Sequence, residues 1–238
     1  MPVSLKNQVA LVVGASSGIG RSIAILFAHE GARVMAAARR LDRLEALKAE
    51  HPGIDIAAAD ASDAAVMDDL AALTVEMFGR VDILVYATGT NVKDRAMTRL
   101  NVKIWDEVIG VNLNGAYYAT RAVLPAMRER KSGHLIYIAS ISGLVPDISG
   151  AAYQASKRGM LGLAHAIRVE EKEHGIRTCV ICPGLVDTEI LENRPVKPTP
   201  EMLAKALQPE DVAEAALFAA KLPPRAVVPE MQLMPTLL

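Results

Sequence analysis

The sequence predicts an α/β fold: a doubly wound parallel sheet of about seven strands with helices on both faces. Three observations carry this. Short apolar runs alternate with longer segments of helical periodicity, a βαβ pattern repeated along 238 residues. The apolar runs are near-continuous, as in Val9-Ala10-Leu11-Val12-Val13, which suits strands covered on both sides. Glycines cluster at 14, 18 and 20, between the first run and the first helical segment. Right-handed crossovers then make the sheet Rossmann-type. The 51% hydrophobic content can fill a core of this size, and no low-complexity segment or linker divides the chain, so residues 1–238 are expected to form a single domain.

The first strand is expected over 9–13 and the first helix over 19–29, stopped by Gly31. Strands follow at 33–37 and 54–58, separated by a helix at 41–50 with Leu41, Leu44 and Leu47 at helical spacing. A third helix spans 63–78 and a fourth strand 83–86. The segment 102–128 predicts one long helix, irregular near Asn112. A strand at 135–139, a helix at 153–174 and a strand at 177–181 come next. A last helix over 209–222 precedes a short strand at 230–234. The stretch 189–200 is the least regular and carries Pro195, Pro198 and Pro200, so it predicts an excursion over the active site.

Charge and composition narrow the function. With 26 basic and 27 acidic side chains the formal net charge is −1, so no large basic field points to nucleic acid or an anionic membrane surface. No run reaches the roughly 20 apolar residues of a membrane span. The N-terminus runs directly into a strand and shows no secretory leader, which predicts a cytoplasmic protein. Cys179 and Cys182 have redox-motif spacing, yet they lie in a buried-strand pattern where residues three apart point to opposite faces. Two buried thiols are the expectation. The five histidines are scattered, and no metal site is expected.

Gly14-Ala15-Ser16-Ser17-Gly18-Ile19-Gly20 joins a strand to a helix near the chain start. Glycine permits the tight turn and lets backbone N–H groups approach a pyrophosphate at the positive end of the helix. An empty strand–helix turn is the alternative. The G-x-x-x-G-x-G spacing resembles the short-chain dehydrogenase/reductase family, and the resemblance extends from Val9 to about Thr236. In such folds the residue ending the second strand reads the adenosine ribose. Here that position is Ala38, without a carboxylate, and Arg39-Arg40 follows at once. Arginine grips phosphate through charge-assisted hydrogen bonds, so NADP(H) is the expected cofactor with Arg39 as principal contact. The alternative is a solvated basic pair. The resemblance sets Asp60 beside the adenine with Ala61 contributing backbone; alone, Asp60 is a helix-cap candidate.

Tyr153 and Lys157 stand four apart, on one face of a helix. Ser140 lies thirteen residues earlier, at the end of an apolar strand, and Asn112 at the irregular helix turn. Short-chain dehydrogenases carry an Asn-Ser-Tyr-Lys tetrad at similar spacings. An unperturbed tyrosine has a pKa of about 10; to trade protons near neutrality its phenolate needs about 3 units of stabilisation, and a nearby Lys157 ammonium with the oxidised nicotinamide is expected to push in that direction. Ser140 would donate to the substrate oxygen. The resemblance implies that Lys157 binds the nicotinamide ribose, that Asn112 holds a relay water, and that Pro183, Gly184, Val186 and Thr188 meet the carboxamide. Asn112 also has a plainer role open to it, satisfying backbone at the turn.

Two departures stand out. The family's Asn-Asn-Ala-Gly after the fourth strand reads Tyr86-Ala87-Thr88-Gly89, and the threonine before the first glycine is Val13. Gly89 preserves close backbone approach to the cofactor, while Ala87 replaces an asparagine that braces the sheet. The resemblance implies hydride transfer between the nicotinamide and a small-molecule carbonyl/alcohol substrate, in a homo-oligomer, a tetramer or dimer. A 3-oxoacyl-thioester reductase and a non-catalytic NADP-binding sensor or scaffold are the alternatives. The substrate pocket is expected to draw on Ser142, Leu144, Val145, Leu185 and the 189–200 excursion, a mixed apolar lining.

Overall fold

The computed structural model describes residues 3–238; Met1 and Pro2, the start of the segment expected to carry no secretory leader, lie outside the described residues. Seven parallel strands form one sheet in the order β3-β2-β1-β4-β5-β6-β7. They are β1 (Val9–Val13), β2 (Arg33–Ala38), β3 (Ile54–Ala58), β4 (Ile83–Tyr86), β5 (Gly133–Ile138), β6 (Ile176–Pro183) and β7 (Glu230–Leu233). The helices are α1 (Gly18–His29), α2 (Leu41–Glu50), α3 (Ala64–Phe78), α4 (Val102–Ile109), α5 (Gly115–Arg130), α6 (Ala151–Glu170), α7 (Pro200–Leu203) and α8 (Pro209–Ala220).

Strand side chains alternate between two cores, one on each face. Ala10 and Val12 of β1 join Ile23 and Phe27 of α1, Leu44 and Leu47 of α2, and Val212 and Ala216 of α8. Leu11 and Val13 join Met67 and Leu70 of α3, Val123 and Met127 of α5, and Met160 and Ala164 of α6. This two-sided burial is why the strand sequences read as continuous apolar runs. Cys179 packs in the first core and Cys182 in the second, both as free, buried thiols. Burial pushes Cys179 up to about 12 and Cys182 to about 11, out of the reactive range.

The expected long helix over 102–128 is two helices joined by a π turn at Gly110–Asn114. A π turn widens the backbone ladder by one residue, and such turns concentrate at functional sites. The helix expected over 153–174 starts earlier, at Ala151, and ends at Glu170; Lys172–His174 is a separate 3₁₀ turn. Asp63, not Asp60, caps α3: its carboxylate accepts from Ala65 N at 2.8 Å and Val66 N at 3.3 Å. The sheet order reverses between β1 and β4, and in doubly wound sheets the crevice at that switch point takes the ligand. Among the described residues, no helix is long and apolar enough to cross a membrane, and no cluster of His, Cys, Asp and Glu has the makings of a metal site.

Candidate active site

A cleft of about 440 Å³ opens at the carboxyl ends of the strands, along the switch point. Gly14, Ser16, Ser17, Gly18, Ile19 and Gly20 line one side. Arg39, Arg40, Asp60 and Ala61 line one end; Ser140, Tyr153 and Lys157 line the other, with Ala87, Gly89, Pro183, Gly184, Val186 and Thr188 between. The candidate residues thus share one cleft, except Asn112, which is buried just behind it.

The glycine turn fits a dinucleotide. Gly14 has φ +97°, and a Cβ there would lie 2.7 Å from the Ala87 and Thr88 backbones. Ser17 begins α1 in extended conformation and its side chain caps no N–H, so the first amides of the helix stay available to an anion. The first turn of α1 carries no acidic side chain to oppose one. Thr88 Oγ1, buried beside this turn, has no hydrogen-bond partner among the described residues. A pyrophosphate suits these donors.

At the adenosine end the two arginines divide. Arg40 turns onto the glycine loop, donating to Ser16 Oγ at 3.0 Å and Ser17 Oγ at 2.7 Å. It also pairs with Glu189 at 2.9 Å, which Arg43 grips from the other side. Arg39 stands beside Asp60. Burial raises the Asp60 carboxyl, but hydrogen bonds from the Ser62 amide and hydroxyl, with the Arg39 charge, hold it below its ordinary value. Arg40, ranked behind Arg39 in the sequence, is the one poised over Ser16 and Ser17.

At the other end, Ser140 closes β5 and Tyr153 and Lys157 project from α6. The Lys157 ammonium lies 5.7 Å from the Tyr153 ring centre and donates to the Ile138 carbonyl at 2.9 Å. Lys157 is almost wholly buried, and desolvation pushes its pKa down to about 8. The expectation that Lys157 lowers Tyr153 needs correcting for this state. Burial dominates and raises the Tyr153 phenol, a hydrogen bond from Ser140 opposes it, and the cationic groups that favour the phenolate are Arg194 and Arg95.

Ser140 belongs to a chain of hydroxyls. Its Oγ donates to Ser142 Oγ at 3.2 Å, and Ser142 is bound in turn to the Asp147 carboxylate, which also accepts from the Ser149 amide at 2.8 Å. Asn112 Oδ1 accepts from Thr90 N at 2.7 Å, while Nδ2 donates to Thr90 O at 3.0 Å and Ser156 Oγ at 2.9 Å. Its amide therefore ties the loop after β4 to α6.

Two expected pocket residues are misplaced. Leu144 packs into the sheet core and Val145 is 48% exposed; neither faces the cleft. Conversely, Asn91, Arg95 and Ser149 line it and went unread in the sequence, and Arg194 lines it from the 189–200 excursion expected there. Arg95 and Arg194 follow the carboxyl ends of β4 and β6, the positions where such sheets place ligand-facing loops. That placement was the available signal.

The family model for short chain dehydrogenases matches residues 8–198. The chain belongs to the short-chain dehydrogenases. An uncharacterized oxidoreductase of Staphylococcus aureus (strain MRSA252) is 35% identical over 233 residues, covering 97% of this chain and 98% of the relative. One from Staphylococcus saprophyticus is 36% identical over 238 residues, covering 98% and 99%. Among solved structures, the closed form of a serine dehydrogenase complexed with NADP+ superposes with a TM-score of 0.87 at 32% identity, over 95% of this chain and 94% of that one. Levodione reductase gives a TM-score of 0.87 at 28% identity, covering 96% of each. As a short-chain dehydrogenase this chain is an oxidoreductase that interconverts CH–OH and C=O groups of a small molecule using a nicotinamide coenzyme.

Proposed function

We propose that residues 1–238 act as one NADP(H)-dependent carbonyl reductase or alcohol dehydrogenase domain with Tyr153 as proton donor and acceptor. The observation that carries this is the single cleft joining Arg40 and the glycine turn at one end to Ser140, Tyr153 and Lys157 at the other. Amides of the Gly14–Gly20 turn hold the pyrophosphate, Arg40 with Arg39 holds the 2′-phosphate, and Asp60 and Ala61 flank the adenine. Val186, Thr188, Pro183 and Gly184 meet the carboxamide, and Lys157 the ribose.

When bound, the coenzyme supplies a hydride to the carbonyl carbon, or takes one from the alcohol. Ser140 turns its one hydroxyl proton from Ser142 Oγ onto the substrate oxygen, while the Ser142 amide, donating to the Ser140 oxygen at 3.2 Å, holds that oxygen in place. In reduction Tyr153 delivers its proton to that oxygen, and the proton is replaced from solvent. A carbonyl, one hydride and one proton then give one alcohol. In oxidation the steps reverse, and a bound dinucleotide's positive charge adds to Arg95 and Arg194 in favouring the phenolate. Exposed Tyr117 on α5 and Val169 on α6 support an oligomer built on these helices.

The test is a coenzyme-oxidation screen over aldehydes, ketones and ketoacyl thioesters. NADPH turnover by the wild type, with Tyr153→Phe keeping NADPH affinity but losing at least 10²-fold in kcat, is expected for a general acid. Near-normal turnover by that variant removes Tyr153 from the mechanism. Equal kcat/KM with NADH removes the assignment of the arginines.

A further inference from the structure

The charged groups of the cleft are segregated. Its lining carboxylates, Asp60 and Glu189, lie with the arginines of the adenosine end. The reacting end presents Arg95 and Arg194 instead. Arg95 is 9% exposed, and among the described residues it pairs with no carboxylate. Its guanidinium donates to the Val92 carbonyl at 2.9 Å and to the Asn193 carbonyl, leaving three of five N–H donors uncommitted. The Arg194 backbone N–H donates to Leu191 O at 3.0 Å, but its guanidinium holds neither a hydrogen bond nor an ion pair among the described residues.

The nearby carboxylate, Asp147, does not neutralise this pair. It is taken up by Ser142 and Ser149 and lies in the adjoining pocket that Arg95 and Arg194 also line, where its charge favours the Arg95 cation without forming an ion pair with either arginine among the described residues. Burial and the neighbouring Arg194 charge both weigh against the Arg95 cation. A buried cation without a counter-ion is costly, and the half-buried Arg194 beside it adds repulsion. A ligand anion removes that cost. Planar, forked guanidinium groups match a carboxylate in two-point hydrogen bonds.

We propose that Arg95 and Arg194 form a carboxylate subsite, and that the substrate is a short oxo acid or the corresponding hydroxy acid. The subsite sits on the loop after β4 and the excursion after β6, so the acid bridges these two connections while its carbonyl meets Ser140 and Tyr153. This rests on the oxidoreductase reading above and narrows its substrate class. It also replaces the apolar pocket expected from the sequence.

The test compares 2-oxopentanoate and 4-oxopentanoate with their methyl esters under NADPH oxidation. The acid should exceed its ester in kcat/KM by about tenfold or more for at least one chain position, the value of one lost charge-assisted contact. Arg194→Met should bring the ratio close to one, mainly through KM, and Arg95→Met should do the same. Arg95→Lys should retain part of the preference. Because Arg95 also braces Val92 and Asn193, Arg194→Met is the variant that separates charge from loop structure. Esters turned over as well as acids, or a ratio unmoved by both arginine variants, overturn the subsite while leaving the oxidoreductase intact. If no carbonyl compound is turned over, the oxidoreductase reading fails. Calorimetry on the NADP+-saturated protein then decides the subsite: pentanoate binding over pentanamide, lost in Arg194→Met, upholds it, and equal or absent binding overturns it.

Discussion

The Tyr86 hydroxyl donates to the Val111 carbonyl at 2.5 Å, tying the end of β4 to the π turn that carries Asn112. Tyr86 opens the motif in which this chain departs from its family. It is completely buried, and burial raises its phenol far above the ordinary value, so it acts as a fixed donor. The space it needs exists because position 115 is glycine: a Cβ there would collide with the hydroxyl and press on the Ala61 carbonyl at 2.7 Å.

Tyr86→Phe therefore leaves a buried carbonyl without its partner. The expected loss is about 1–3 kcal/mol of stability, read as a fall in Tm of several degrees. Gly115→Ala should cost more, since backbone as well as side chain must move. A Tyr86→Phe protein that melts with the wild type would mean the π turn holds itself.

The fold was legible because apolar period and burial agree. Val9 to Val13 reads as a strand covered twice, and it is. The spacing of Cys179 and Cys182 placed them on opposite faces, and the two cores separate them. Asn112 announced an irregular turn, because an amide in an apolar helical run competes with the backbone. Arg95 was not legible as a site residue, and Arg194 only as a member of the 189–200 excursion. They lie in loops without periodicity, where a charged side chain reads as solvated until long-range packing buries it. The Tyr153–Lys157 relation was half visible: spacing put both on one face, but the desolvation that lowers Lys157 and raises Tyr153 depends on what packs over that face.

Lys157 gives a signature in alkaline solution. Its folded pKa, about 8, lies below its ordinary 10.5. Between these values the unfolded chain holds a proton that the folded chain has released, so stability rises with pH across that window. Relative to Lys157→Met, the coenzyme-free wild type should gain roughly 3 kcal/mol between pH 7 and pH 10.5 in denaturant titrations. Parallel stability curves for the two proteins would show that the ammonium is solvated.

His134 predicts a slope of the same sign in a lower window, on the acid side. Both its ring nitrogens are buried on β5 without partners among the described residues, and burial, with the Arg177 charge, pushes it down to about 3 from 6.5. As pH falls through 6.5 the unfolded chain takes up a proton that the folded chain refuses, so stability falls. At pH 5 the penalty is about 2 kcal/mol. His134→Leu should remove it, and its stability advantage over the wild type should grow by that amount between pH 7.5 and pH 5. An advantage that does not change with pH would mean His134 protonates in place.

Glu189 occupies the arginines that the coenzyme is proposed to use. Its carboxylate is held at about 2 by hydrogen bonds from Arg40 and Arg43, so it stays charged under any working condition. A 2′-phosphate arriving at Arg40 meets that negative charge and must displace it. Glu189→Gln should tighten NADPH by about fivefold, the scale of a half-exposed ion pair, and change NADH much less. The gain should shrink between 50 mM and 0.5 M salt, because screening weakens the repulsion it relieves. Arg40→Ala should weaken NADPH by about tenfold or more with little effect on NADH. Fluorescence titration of both coenzymes against the two variants separates these cases. Loss of NADPH affinity in Glu189→Gln would show instead that the Arg40–Glu189 pair holds the guanidinium in its binding position, and that Glu189 organises the phosphate site rather than competing for it.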